Sequence, residues 1–169
     1  IYNISIFILL TSNTLIAETF LPRNNSDLNY RQLEFSWPQI PNSNNYKITI
    51  NNLDSDFSVL INNENNILIY DGYDLEWGES YSWQVCGYYQ DDIIECHDYK
   101  YFSLSELSIY VPPIINILHL EENQVSNKLI AFSGYFQNAS CGVGIDKYGN
   151  VLWFTPHKQN FQFLKKLFL

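Results

Sequence analysis

The residues best suited to chemistry in this chain are its thiols, imidazoles and paired carboxylates. There are 3 cysteines, Cys86, Cys96 and Cys141. Cys86 and Cys96 flank a turn centred near Asp91-Asp92, and in a hairpin centred at residue 91 they face each other. Facing thiols form a cross-strand disulfide in an oxidising compartment. Phe102 and Leu104, if they face inward, ask for a one-residue shift, which a bulge near Ile93-Ile94 would supply. A bridge and two free thiols are both open on this reading. Cys141 is left over, as a small buried residue or the partner of a cysteine further along. A thiol nucleophile needs a neighbouring base or cation, and none marks Cys141.

The 3 histidines, His97, His119 and His157, stand singly in the sequence. Metal sites use closely spaced ligand pairs, so no metal-binding residue and no cofactor are nominated. Acidic residues pair at Asp54/Asp56, Asp91/Asp92 and Glu121/Glu122, with a looser group at Asp71, Asp74, Glu76 and Glu79. Paired carboxylates can bind calcium or work as acid and base. Calcium loops need more oxygen ligands at fixed spacing, and Asp146-Lys147-Tyr148-Gly149-Asn150 lacks them. Turn formation and solubility explain these carboxylates better. The chain has no phosphate loop, nucleotide fingerprint or serine elbow, so no catalytic residue is nominated. Tyr70, Tyr73, Trp77, Tyr88 and Tyr89 have a second reading. Flat rings, Tyr73 and Trp77 foremost, could stack on sugar faces as ligand-stacking aromatics; their ordinary fate is to pack loops onto a core.

Composition limits what such residues can serve. The chain has 169 residues, 17% of them aromatic, enough to fill the core of one ordinary domain plus a smaller unit. Its net charge of −9 repels phosphate backbones and anionic membrane surfaces, so no nucleic-acid partner is expected. Residues 4–10 are an apolar run followed by Thr11 to Ala17, which reads as the core and cleavage region of a secretory signal peptide. The run is too short for a membrane span and is interrupted by Asn13. The basic segment that normally precedes such a core is not seen, and residues 161–169 stop in apolar sequence. Both ends read as those of a fragment of a longer exported protein, destined for periplasm, cell surface or medium.

Period-two alternation dominates residues 30–104. Leu33, Phe35 and Trp37 alternate with polar residues, as do Tyr46, Ile48 and Ile50, and Tyr81, Trp83 and Val85. Each set places large apolar side chains on one face of a half-buried strand. Asn- and Asp-rich clusters separate the runs, and such residues tolerate left-handed backbone and bond their own main chain. Turns at this spacing predict an all-β sandwich or barrel. The arrangement resembles a fibronectin type III or related immunoglobulin-like β-sandwich over about residues 28–106. Trp37 sits where that family has its second-strand Trp, and Tyr46 where the third strand has an inward aromatic. Leu75 lies six residues before Tyr81, as at the corner before the sixth strand, and the resemblance implies that Tyr81 bonds main chain there.

Pro112-Pro113 interrupt pairing and suggest a linker over 107–127, as 18–27 suggest one before the sandwich. From 128 to 169 the texture changes to short strands, with a turn at Lys147-Tyr148-Gly149-Asn150 before Val151-Leu152-Trp153-Phe154. The string from Gly144 through Asp146, Gly149 and Asn150 to Trp153 resembles the opening strands of arylsulfotransferase-like β-propellers. That resemblance covers about 30 residues and implies an incomplete propeller blade, which needs neighbours to bury its faces. It also implies a parent enzyme that moves a sulfuryl group from an aryl sulfate to a phenol through a sulfated His. His and Arg residues would hold the anion. None of the histidines here matches that pattern, so no catalytic role is carried over. The expected chain is then a signal peptide over 1–17, a fibronectin-like sandwich, and the first strands of a propeller. Its first partner is the rest of that propeller, and a protein or glycan partner is the alternative for a surface adhesion module.

Overall fold

The computed structural model describes residues 20–108, 111–112, 114–117, 130–136 and 139–155. The expected signal peptide over 1–17 lies outside them. All regular structure among the described residues is β. The strands are β1 (Ser26–Leu28), β2 (Leu33–Ser36), β3 (Asn45–Asn52), β4 (Ser58–Asn63) and β5 (Ile67–Tyr70). They continue as β6 (Ser80–Tyr89), β7 (Asp92–Cys96), β8 (Lys100–Leu104), β9 (Ile130–Phe136), β10 (Ala139–Ile145) and β11 (Val151–Phe154). No helix among the described residues is long and apolar enough to cross a membrane.

Alternation in the sequence becomes two sheets that share one core. The larger runs β1-β8-β6-β3-β4, with β7 also on β6, and the smaller is the antiparallel pair β2-β5. Tyr46, Ile48 and Ile50 of β3 point inward, as do Leu33 and Phe35 of β2 and Trp83 and Val85 of β6. The Phe35 ring meets Trp83 edge-on at 5.1 Å, and Trp37 meets Tyr46 at 5.3 Å. Offset and edge-on contacts suit the ring quadrupoles and fix the layer spacing. The arrangement is all-β with several sheets, consistent with a β-sandwich.

Strand β6 is long enough to serve two partners along one edge. Its first half pairs with β8, from Ser80↔Ser103 to Trp83↔Lys100. Its second half pairs with β7, with Cys86 opposite Cys96. The register then shifts, Gly87 opposing Glu95 and Tyr88 opposing Ile93, so Ile94 is the extra residue of a bulge. Before β6 the chain turns a corner. The Tyr81 hydroxyl accepts the Glu76 N–H at 2.7 Å, and Leu75 is fully buried beneath it.

The chain joins these sheets earlier than the 18–27 linker expected from sequence. Leu21 exchanges two main-chain hydrogen bonds with Ser36, at 3.0 and 2.9 Å. The chain then crosses over, and β1 runs parallel to β8 with Leu28 opposite Leu104. These paired stretches are too short to show a period. Part of the expected 107–127 linker also packs. Val111 is buried with Cys141, Val143, Ile145 and Val151, and Leu107, Ile115 and Ile117 flank it. Apolar residues around the prolines find this second core, which sequence spacing alone does not reveal.

That second core lies on a three-stranded antiparallel sheet, β11-β10-β9. Gly144 lies opposite Trp153, and a Cβ at 144 would fall 1.9 Å from the indole Nε1. The glycine leaves room for the ring to lie across its neighbouring strand.

Two conservative substitutions separate bonded from unbonded phenols. Tyr46 is buried, and among the described residues its hydroxyl has no hydrogen-bond partner. Tyr46→Phe should leave stability unchanged or raise it, because a buried unpaired hydroxyl only costs desolvation. Tyr81→Phe should cost about 1 kcal/mol, because the Glu76 N–H loses its acceptor. Urea midpoints of the two variants check this, and equal losses would contradict it.

Candidate functional site

The sandwich meets the small sheet at a hydrogen-bonded seam. Strand β11 bonds β10 on one side and the segment 29–31 on the other. Arg31 N–H donates to Leu152 at 2.8 Å, and Phe154 N–H donates to Asn29 at 3.1 Å. The Asn29 side chain adds a bond to the Phe154 carbonyl at 2.7 Å. The outer edge of β11 is thereby closed by the sandwich itself.

The loop between β5 and β6 completes the seam. The Arg31 guanidinium donates through Nε to Gly72 O at 3.1 Å and through a terminal nitrogen to Tyr73 O at 2.6 Å. A Cβ on Gly72, which has φ +65, would meet Arg31 O at 2.0 Å, so only glycine lets the two backbones close up. Arg31 lies over the Trp77 ring, 5.8 Å from its centroid. Burial lowers the Arg31 pKa, while Tyr81, Asp74 and Glu76 favour the charged form. Trp77 packs against both cores and meets Phe154 edge-on at 5.3 Å. From the same loop Tyr73 comes up to Asp146, and burial together with that carboxylate raises the phenol pKa.

Asp146 organises the turn before β11. Its Oδ1 accepts the Tyr148 N–H at 2.8 Å and the Asn150 N–H at 2.9 Å, and its Oδ2 accepts Asn150 Nδ2 at 2.8 Å. Burial pushes this carboxyl up, but those bonds and the neighbouring Tyr73 outweigh it and hold the pKa below the ordinary 3.8. The carboxylate is fully engaged and is a structural acceptor rather than an acid or base. Tyr70 is raised well above the ordinary phenol by burial and by its bond to Asp74.

The sequence-nominated residues divide clearly. Cys86 and Cys96 are joined by a disulfide. It clamps the root of the β6–β7 hairpin, whose tip exposes Tyr89, Ile93 and Ile94. Cys141 is a free thiol, buried in the second core, and burial raises its pKa away from the reactive thiolate. Trp77 corrects the sugar-stacking expectation. Its ring is committed to packing between the two cores, because the 71–79 loop folds under the small sheet. Tyr73 is 49% exposed and lies beside Asp146. The Tyr88 ring lies beneath Lys47 Nζ at 4.1 Å. His97 packs edge-on to Phe20 at 5.0 Å, with Nε2 3.2 Å from Pro38 O. His119, His157 and the pair Glu121/Glu122 lie outside the described residues. Among the described residues no group of three or more His, Cys, Asp or Glu could hold a metal ion. Sequence reasoning missed the seam residues Asn29 and Arg31, which lie in no periodic run. It read Asp146 only as part of a tight turn, without the neighbouring Tyr73.

No family model matches the chain, and no curated protein matches it.

The seam has a signed pH dependence. Asp146 has a lowered pKa when folded, so its contribution is complete above the ordinary value of 3.8 and is lost as pH falls through the folded value. Exchange protection of the Tyr148 and Asn150 amides should therefore fall on acidification below about pH 4. Asp146→Ala should remove that dependence and cost about 1–3 kcal/mol. Protection that does not change with pH in the parent would overturn this.

The disulfide closes a loop with a sequence separation of 10. Its loss should destabilise the sandwich by about 2–3 kcal/mol by the chain-entropy relation. Paired denaturation curves of the parent and the Cys86→Ser/Cys96→Ser variant give the difference, and superimposable curves would refute it.

Proposed function

We propose that this chain is the N-terminal, non-catalytic part of an exported arylsulfotransferase-like protein. A fibronectin III-like sandwich would hold the first strands of the propeller in a fixed place. The observation that carries this reading is the seam. Main-chain bonds from Asn29 and Arg31 to β11, with Trp77 between the two cores, make the sandwich a mount rather than a loose bead. The Tyr81 corner supports the fibronectin-like assignment. The Asp146-to-Asn150 turn, with Trp153 lying across Gly144, supports the propeller assignment. The disulfide supports export, since such bonds persist in oxidising compartments. Catalysis would belong to later blades, where His and Arg would carry and hold the sulfuryl group.

A second reading is a surface adhesion protein, and one observation favours it. The disulfide-clamped hairpin presents Tyr89, Ile93 and Ile94 to solvent, each at least 43% exposed. Apolar residues grouped on a stiff protrusion suit a protein partner.

Sequencing the coding DNA beyond the Leu169 codon distinguishes the readings. The enzyme reading expects a long open frame with repeated Gly-Asn…Trp hairpins. Its whole product should transfer sulfuryl groups from 4-nitrophenyl sulfate to phenol, and the present chain alone should not. Further sandwich repeats, or a stop codon directly after Leu169, would sink it.

A further inference from the structure

The geometry points to a peptide-binding slot between β1 and β2, filled by strand addition. The first chain segment pairs with β2 only at Leu21↔Ser36. Continued pairing would place Arg23 opposite Glu34. Instead Arg23 O accepts the Ser26 N–H at 3.0 Å, Asn25 takes φ 60, and the chain leaves for β8. A cavity of about 400 Å³ opens where it departs.

Its main chain is what makes the slot specific. Ser36 directs its N–H and C=O to Leu21, and Trp37 N–H bonds Asn66 on the opposite side. Strand groups alternate, so Leu33 and Phe35 face β5 and the Glu34 N–H and C=O face the slot. Among the described residues the Glu34 main-chain groups have no partner. The lining also holds the Ser26 hydroxyl, shielded from solvent and without a hydrogen-bond partner among the described residues. Pro22, Leu28 and Leu33 are buried and give it an apolar floor, while Arg23 and Glu34 stand exposed at its rim.

A free donor and acceptor on one strand residue, above an apolar floor, match an extended peptide. A peptide placed antiparallel to β2 would exchange two bonds with Glu34. A neighbouring residue of the peptide would set an apolar side chain against Leu21 and Leu28. The residue opposite Glu34 would be basic, because an opposite-charge cross-strand pair is favourable and the chain carries −9. The occupant is therefore a short, extended, basic-apolar alternating segment of a partner protein.

The probe is an acetylated, amidated Val-Lys-Val-Lys-Val peptide titrated into the full ¹⁵N-labelled chain. Saturable shifts are expected at the Ser26 and Glu34 amides. A control peptide with both Lys Nα-methylated should bind about tenfold more weakly, since it keeps the charge but cannot donate the strand bond to the Glu34 carbonyl. Glu34→Pro should weaken binding of the first peptide to a similar extent. If that variant does not fold, Glu34→Lys keeps the strand amide and should reverse the preference, favouring Val-Glu-Val-Glu-Val. Equal binding of the Nα-methylated control, shifts confined to the β4 or β7 edges, or slot shifts that follow protein concentration without peptide would each overturn the assignment. The last would mark a second copy as the occupant.

Discussion

The loop between β5 and β6 is held by its own end. Tyr81, at the start of β6, reaches back to the Glu76 N–H, while Leu75 is sunk into the sandwich core. One such bond is worth about 1 kcal/mol net, which is small beside the core. Its effect lies in what the loop carries. With Leu75 and Glu76 fixed, Gly72 and Tyr73 present their carbonyls to Arg31, Tyr73 lies beside Asp146, and Trp77 presents its ring to Phe154. The join between the two cores depends on a corner that belongs to only one of them.

Edges shape the rest of the molecule. An unpaired strand edge invites pairing with other chains, and proteins cover or interrupt such edges. Here β1 lies along β8, β7 and β8 divide one edge of β6, and the segment 29–31 closes β11. The bulge at Ile94 twists the exposed β7 out of regular register. Glu34 stands apart from these devices. Leu33 and Phe35 bond β5 and Ser36 bonds Leu21, yet the Glu34 amide faces a cavity.

Much of this was legible in the residues, and the illegible part has a common cause. Alternation located β2, β3 and β6 because each strand has one buried and one wet face. The turn at 147–150 was legible because asparagine and glycine relieve backbone strain there. The facing of Cys86 and Cys96 was legible only to within a register shift, since one bulged residue changes it. Trp77 carried two readings, and only the second core, distant in sequence, shows it taking the packing one. The segments 18–27 and 107–127 misled for a similar reason. Leu21 and Val111 lie in stretches with no period, and what buries them is distant in sequence. Local pattern reports local geometry. It does not report which loop another sheet will sit on.

The closed edge of β11 also constrains any larger architecture. In a simple meander the strand after β11 would add to the outer side of β11, but Asn29 and Arg31 already bond there. A further strand joining this sheet at β11 must displace a segment anchored by Trp77 and Arg31. Displacement would expose Trp77 and leave the main-chain groups of Leu152 and Phe154 without partners, and each lost bond carries a desolvation cost. The sandwich therefore does more than precede the sheet. By occupying the outer edge of β11 it denies that side to anything added later.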